Sequence, residues 1–248
     1  MPQFSDDLFL GTAQTYMGVN TNSALGDPSS MDLGVGPVGR IYVWDTVPAA
    51  KATNNLVTST TPAAAGSLTL TAGSGVTAVT LNSGSTAYQL DVPRAVSVTA
   101  AALATTRNFT VSGFDYYGEA MSEVIASSAG ATVNGLKAFF QITGITVSGA
   151  TSTAVTVGTS DVLGCPVRFN NKGYIARCGW NNVLAEDAAT VVVADATTAT
   201  TTTGDVRGTV VPSSACDGAK RLVVAVLLTA IQCGPNATRA GALGVTQA

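Results

Sequence analysis

From residue 67 the chain repeats one phrase. SLTLTAG, VTAVTLNSG, TAYQLDVPR and AVSVTAAAL follow one another as short runs rich in Thr and Val, punctuated by Gly, Asn and Pro. Short strands with turn-formers at this spacing predict antiparallel strands folded into a sandwich or barrel. Composition leaves little room for anything else. Ala, Thr, Gly, Val and Ser make up the bulk of the chain, and Lys, Glu and Leu, which would help to build helices, are scarce. The expected fold class is all-β: sandwich-like or barrel-like lobes of short antiparallel strands, preceded by an extended N-terminal arm.

The expected organisation follows the punctuation. Residues 1–45 read as an arm dense in turn-formers that ends in a first strand, RIYVWDT. Residues 46–66, with VPAAKATNNLVTSTTPAAAG, read as a linker. Residues 67–185 read as the sandwich-like domain, and 186–248 as a C-terminal β segment that packs with the N-terminal part. VVVAD and LVVAVLLTAI lack alternation and read as strands covered on both faces, and residues 234–248 as a tail. VTAVTLNSG at 76–84 and STAVTVGTS at 152–160 echo each other and hint at two related sheets. In KAFFQITGITVSG the apolar parity switches between Phe140, Ile142 and Ile145, Val147, which predicts a β-bulge at Gly144.

Charge narrows the partners. Only 11% of residues are charged, well below the quarter carried by ordinary soluble domains, and the net charge is −3. No basic footprint for nucleic acid or anionic lipid is present. A surface so poor in charge resists self-association weakly, which predicts a homo-oligomer, a trimer or dimer. MPQFSDDLFLG lacks the basic start and apolar core of a secretory signal, and the apolar run Leu222 to Ile231 is about half of a membrane span, so synthesis in a cytoplasm and no membrane are expected.

The chain has no histidine, which removes the commonest base for serine or cysteine nucleophiles. Lys51, Lys137, Lys172 and Lys220 stand in no Ser-x-x-Lys context. In FTVSGFDYYGEAMSEVI, Gly113 is expected to break the first strand and DYYG to turn the hairpin. Asp115, Glu119 and Glu123 are its candidate acid and base. On one strand Glu119 and Glu123 stand about 13 Å apart, beyond paired-carboxylate glycosidase geometry, so the trio reads as a solvated hairpin rim or interface contact.

Gly34 to Gly39 match GxGxxG without the strand before and helix after that phosphate binding needs. Cys165, Cys178, Cys216 and Cys233 have no zinc spacing and read as buried free thiols. Asp187, Asp195, Asp205 and Asp217 have no calcium-loop spacing. Asn108 and Asn236 head incidental glycosylation sequons. No catalytic, cofactor or metal site is expected, and no enzyme.

Four longer segments occur in order: QLDVPRAVSVTAAA, NFTVSGFDYYGEAMSEVI, KAFFQITGITVSGATSTAVTVGTSDVLGCPVRF and GDVRGTVVPSSACDGAKRLVV. The series resembles a widespread family of tailed-bacteriophage virion structural proteins. That family has a strand opening on Pro-Arg, a T-V-x-G-x-D-x-x-G-x-x-M-x-E hairpin, a V-G-x-x-D-x-L-G-x-P turn and a D-V-R-G-T-x-x-P-S segment. Cys165 and Gly144 depart from it, where Leu and Ser are expected.

The resemblance implies a capsid decoration, or cement, protein made in a bacterial cytoplasm and carried on the capsid exterior of the virion. Its partner would be the major capsid protein, whose capsomers it would bridge. The alternative is a tail-associated fibre or knob protein that binds host glycan, for which Trp44, Tyr116, Tyr117 and Trp180 are the stacking material.

Overall fold

The computed structural model describes residues 3–4, 8–9, 38–101 and 105–228. The expected tail, Cys233, Asn236, Gly34 to Pro37 and most of the expected arm lie outside these residues. Along the chain the strands are β1 (Gln3–Phe4), β2 (Leu8–Phe9), β3 (Val38–Thr46), β4 (Ala52–Thr60), β5 (Gly66–Ser67), β6 (Val76–Thr80), β7 (Thr86–Ala100), β8 (Asn108–Phe114), β9 (Ala120–Ala126), β10 (Ala131–Val147), β11 (Val155–Gly164), β12 (Ile175–Trp180), β13 (Thr190–Val193), β14 (Gly208–Val211) and β15 (Leu222–Leu228). Among the described residues no α-helix occurs, and a single 3₁₀ turn spans Lys172–Tyr174. The all-β expectation holds.

Ten strands form one antiparallel sheet in the order β13-β14-β11-β7-β10-β8-β9, with β4 also on β11, β5 on β10 and β6 on β7. The sheet curls into a half-barrel. Its long strands change partners along their length. One edge of β7 takes β6 at Thr86 to Leu90 and then β11 at Arg94 to Ala100. Pro93, which has no N–H to give a ladder, falls where the pairing with β10 jumps from Gln89 to Arg94. TAYQLDVPR and the AVSVTA that follows it therefore form one strand, not two.

A smaller sheet pairs β3 with β15 and β15 with β12, with β1 and β2 on the far side of β3. The C-terminal strand thus lies on the strand that follows the arm. Two apolar clusters result. The first lies within the curled sheet and includes Leu56, Val98, Phe109, Phe139, Ile142 and Ile145, all fully buried. The second joins the sheets, with Tyr42, Trp44, Trp180, Leu222 and Val224 against Val92, Leu163, Phe169 and Val210. Each fully buried side chain of this size contributes roughly 1.5–3 kcal/mol.

Several expectations are corrected. Residues 46–66 contain β4, paired with β11, and Leu56 and Val57 of NNLV are buried. The Ala-Pro punctuation marks only the two ends of that strand. The echoing segments are β6 and β11; both belong to the ten-stranded sheet and both pair with β7, so they do not mark two sheets. β13 is an edge strand with Val192 53% exposed, and β15 alternates buried Leu222, Val224 and Val226 with half-buried Val223, Ala225 and Leu227. Unbroken apolar runs here mean edge and half-covered positions.

Two glycines sort differently from their sequence reading. β8 runs straight through Gly113, where a Cβ would stand 2.0 Å from the Gln141 carbonyl oxygen of β10. Close approach of two backbones, not strand termination, demands glycine there. The bulge expected at Gly144 is present: the pairing of β10 with β8 slips between Ile142 and Gly144, which returns Ile142 and Ile145 to the same core. A Cβ on Gly144 itself would meet nothing within 4 Å.

Candidate functional site

The hairpin of β8 and β9 turns at DYYG, closed by Asp115 N–H donating to the Glu119 carbonyl and Gly118 N–H to the Asp115 carbonyl. Asp115 is not on a wet rim. It is 3% exposed and ion-paired with Arg207, itself 3% exposed. Its other oxygen accepts from Tyr117 N–H at 2.8 Å and Glu119 N–H at 2.9 Å. The Arg207 guanidinium also lies 4.9 Å from the centroid of the Tyr117 ring. Only Glu119 stands exposed, as the rim reading requires.

Glu123 corrects that reading further. β9 alternates, so Met121, Glu123 and Ile125 all face inward and are buried. A carboxylate belongs there because β10 bulges between Asn134 and Ala138, and the amides of that bulge donate to it. Leu136 N–H donates to Glu123 Oε1, and Lys137 N–H to Oε2 at 3.4 Å. A Cβ on Gly135 would stand 2.4 Å from that Oε2. Burial pushes the Glu123 carboxyl up to about 7, against the pull of the two amides.

The same bulge is gripped from its other side. Asp205 Oδ2 accepts from Ala138 N–H at 2.9 Å, and its Oδ1 from Arg207 N–H at 2.8 Å and Gly208 N–H at 3.2 Å. Fully buried Lys137 lies within the field of Glu123 and Asp205, and burial lowers the affinity of its amine for a proton. Asp115, Glu123, Lys137, Asp205 and Arg207 thus form one buried ionic junction that ties β9, β10 and the segment leading into β14 to the hairpin tip.

A second junction mirrors it. Arg94, 1% exposed, donates from Nε to the Ser160 carbonyl at 2.9 Å and from Nη1 to Asp91 Oδ1 at 3.0 Å, and lies 3.8 Å from Asp161, which also pairs with Lys51 at 3.0 Å.

The remaining candidates are dispersed. Asp187 accepts from Ser213 across 26 residues, Asp195 from Thr197 and Gly204, and Asp217 from Ala219 and Lys220 within its own turn. Among the described residues no three metal-ligating side chains gather. Cys165, Cys178 and Cys216 are free and buried, their thiols pushed up to about 12, 11 and 12 by burial. Trp180 is a core residue whose indole N–H donates to Ser214 Oγ at 2.8 Å. Lys220 holds the Ala215 carbonyl and Lys172 sits in the 3₁₀ turn.

Trp44 and Tyr116, far apart in sequence, do come to one place. Together with Tyr42, Phe140, Asp45 and Asp91 they line an open cleft of about 450 Å³ between the two sheets. Its aromatic wall is continuous with the first junction. The Tyr116 ring packs edge-on at 5.2 Å from Tyr117 and from Phe140. No family model, curated protein or solved structure matches the chain.

Proposed function

We propose that this chain is a structural component of a tailed-phage virion, a decoration protein that binds the outer surface of the head and stabilises the shell by bridging capsomers. One observation carries the reading. Two ion pairs run between the resembling segments: Asp115 of the hairpin with Arg207 of D-V-R-G-T, and Arg94 of the Pro-Arg strand with Asp161 of V-G-x-x-D-x-L-G-x-P. The side chains that make the resemblance are those that lock the curled sheet together. Asp115 and Glu123, the carboxylates with a catalytic alternative, are committed to Arg207 and to bulge amides.

A shell under internal pressure gains from many repeated weak contacts, since linked contacts add effective concentration rather than raw affinity. A rigid, charge-poor β subunit offers strand edges and loops for such contacts, with the major capsid protein as partner and copies of itself as neighbours. The test is cryo-electron density and gel densitometry of purified particles. Copy number comparable with the shell protein, and density on the head surface, support the reading. Density confined to the tail at a few copies per particle assigns the chain to a tail fibre or knob instead, and absence from particles ends both.

A further inference from the structure

We infer that the cleft between the sheets is a binding site for a neutral carbohydrate of one or two sugar rings, stacked on Tyr116 and Phe140 and hydrogen-bonded to Asp45 and Asp91. The volume, about 450 Å³, falls in the range of small-molecule sites. Ligand class follows from the lining. Aromatic rings supply flat apolar faces for sugar C–H groups, and half-buried Tyr116 and Phe140 are fixed in place by their edge-on contact.

The two carboxylates decide the charge of the ligand. Arg221 clamps Asp45 through both of its oxygens, and Asp91 accepts from Arg94 at 3.0 Å and from Ala49 N–H at 2.6 Å. Both negative charges are already balanced, so a cation gains little there. An anion meets carboxylate oxygens, and a wholly apolar ligand strips water from them without replacement. Hydroxyl groups can use the remaining carboxylate lone pairs without a net charge. A neutral polyol ring satisfies all four conditions. The site is also prebuilt: Tyr116 is held through Tyr117 by the Arg207–Asp115 pair, so little ordering is left for the ligand to impose.

The inference is independent of whether the chain sits on head or tail, and the test uses the full chain alone. Saturation-transfer NMR with maltose, cellobiose and N,N′-diacetylchitobiose, each at millimolar concentration, is expected to show transfer to ring C–H protons of at least one. Trp180→Phe leaves Trp44 as the only tryptophan, whose emission is expected to change with the same sugar. Tyr116→Leu and Phe140→Leu, which keep apolar bulk and remove the flat ring, are expected to weaken binding about tenfold, the worth of one stacked ring. Should either fail to melt cooperatively, the other together with the Trp44 signal gives the reading. Transfer to none of the three sugars, binding of choline in their place, or undiminished binding in both folded Leu variants overturns the site.

Discussion

Asp115 and Arg207 lie 92 residues apart and form a buried ion pair that holds the tip of one hairpin against the start of β14. Desolvating both groups costs as much as their attraction returns, so the pair matters most when it is broken. Arg207→Met is expected to destabilise the fold by about 3–5 kcal/mol, because it strands a buried carboxylate. Asp115→Leu combined with Arg207→Met is expected to recover most of that loss. Urea denaturation of the single and double variants measures both, and an additive double variant contradicts the pairing.

Glu123 makes stability depend on pH with a definite sign. Its carboxyl titrates near 4.5 in the unfolded chain and near 7 in the fold, where burial dominates. Between those values the unfolded chain has lost this proton while the folded one keeps it, so the Glu123 contribution to stability is full below pH 4.5 and falls as pH rises towards 7. The slope approaches about 1.4 kcal/mol per pH unit for one proton. Asp205, also raised by burial, acts in the same direction. Glu123→Gln is expected to flatten the curve without abolishing it, read from urea midpoints across this range. An unchanged slope refutes the assignment.

Glycines of β8 and β10 are expected to separate cleanly. A Cβ at Gly113 would collide with backbone at 2.0 Å, and neither strand can move without losing its ladder. Gly113→Ala is expected to cost several kcal/mol or prevent folding. Gly144→Ala enters open space and is expected to change stability by less than about 1 kcal/mol, with either sign. Thermal melting of the two variants compares them directly.

The thiols offer a further check. Burial holds Cys165, Cys178 and Cys216 protonated well above neutrality, so in a Cys233→Ser variant all three are expected to resist Ellman's reagent at pH 8 until denaturant is added. Prompt reaction of any one in the native state shows that its cover opens.

The chain's own composition and turn spacing determined that it is all-β, because alternation at period two and the scarcity of helix formers are local properties, written residue by residue. The hairpin at DYYG and the bulge near Gly144 were legible for the same reason: a turn or a parity slip is settled by its immediate neighbours. Where the carboxylates point was not. Glu123 alternates correctly with Met121, yet whether that face is wet depends on β10, whose bulge aims the Leu136 and Lys137 amides at the carboxylate. Asp115 reads as a rim residue in the sequence because its partner Arg207 lies in another segment altogether. β4 was hidden for a related reason, since NNLV is too short to declare itself a strand until β11 lends it a ladder. Only the tertiary structure could bring Trp44 to Tyr116 across the gap between the sheets, because burial, pairing and cleft formation are properties of distant residues packed together.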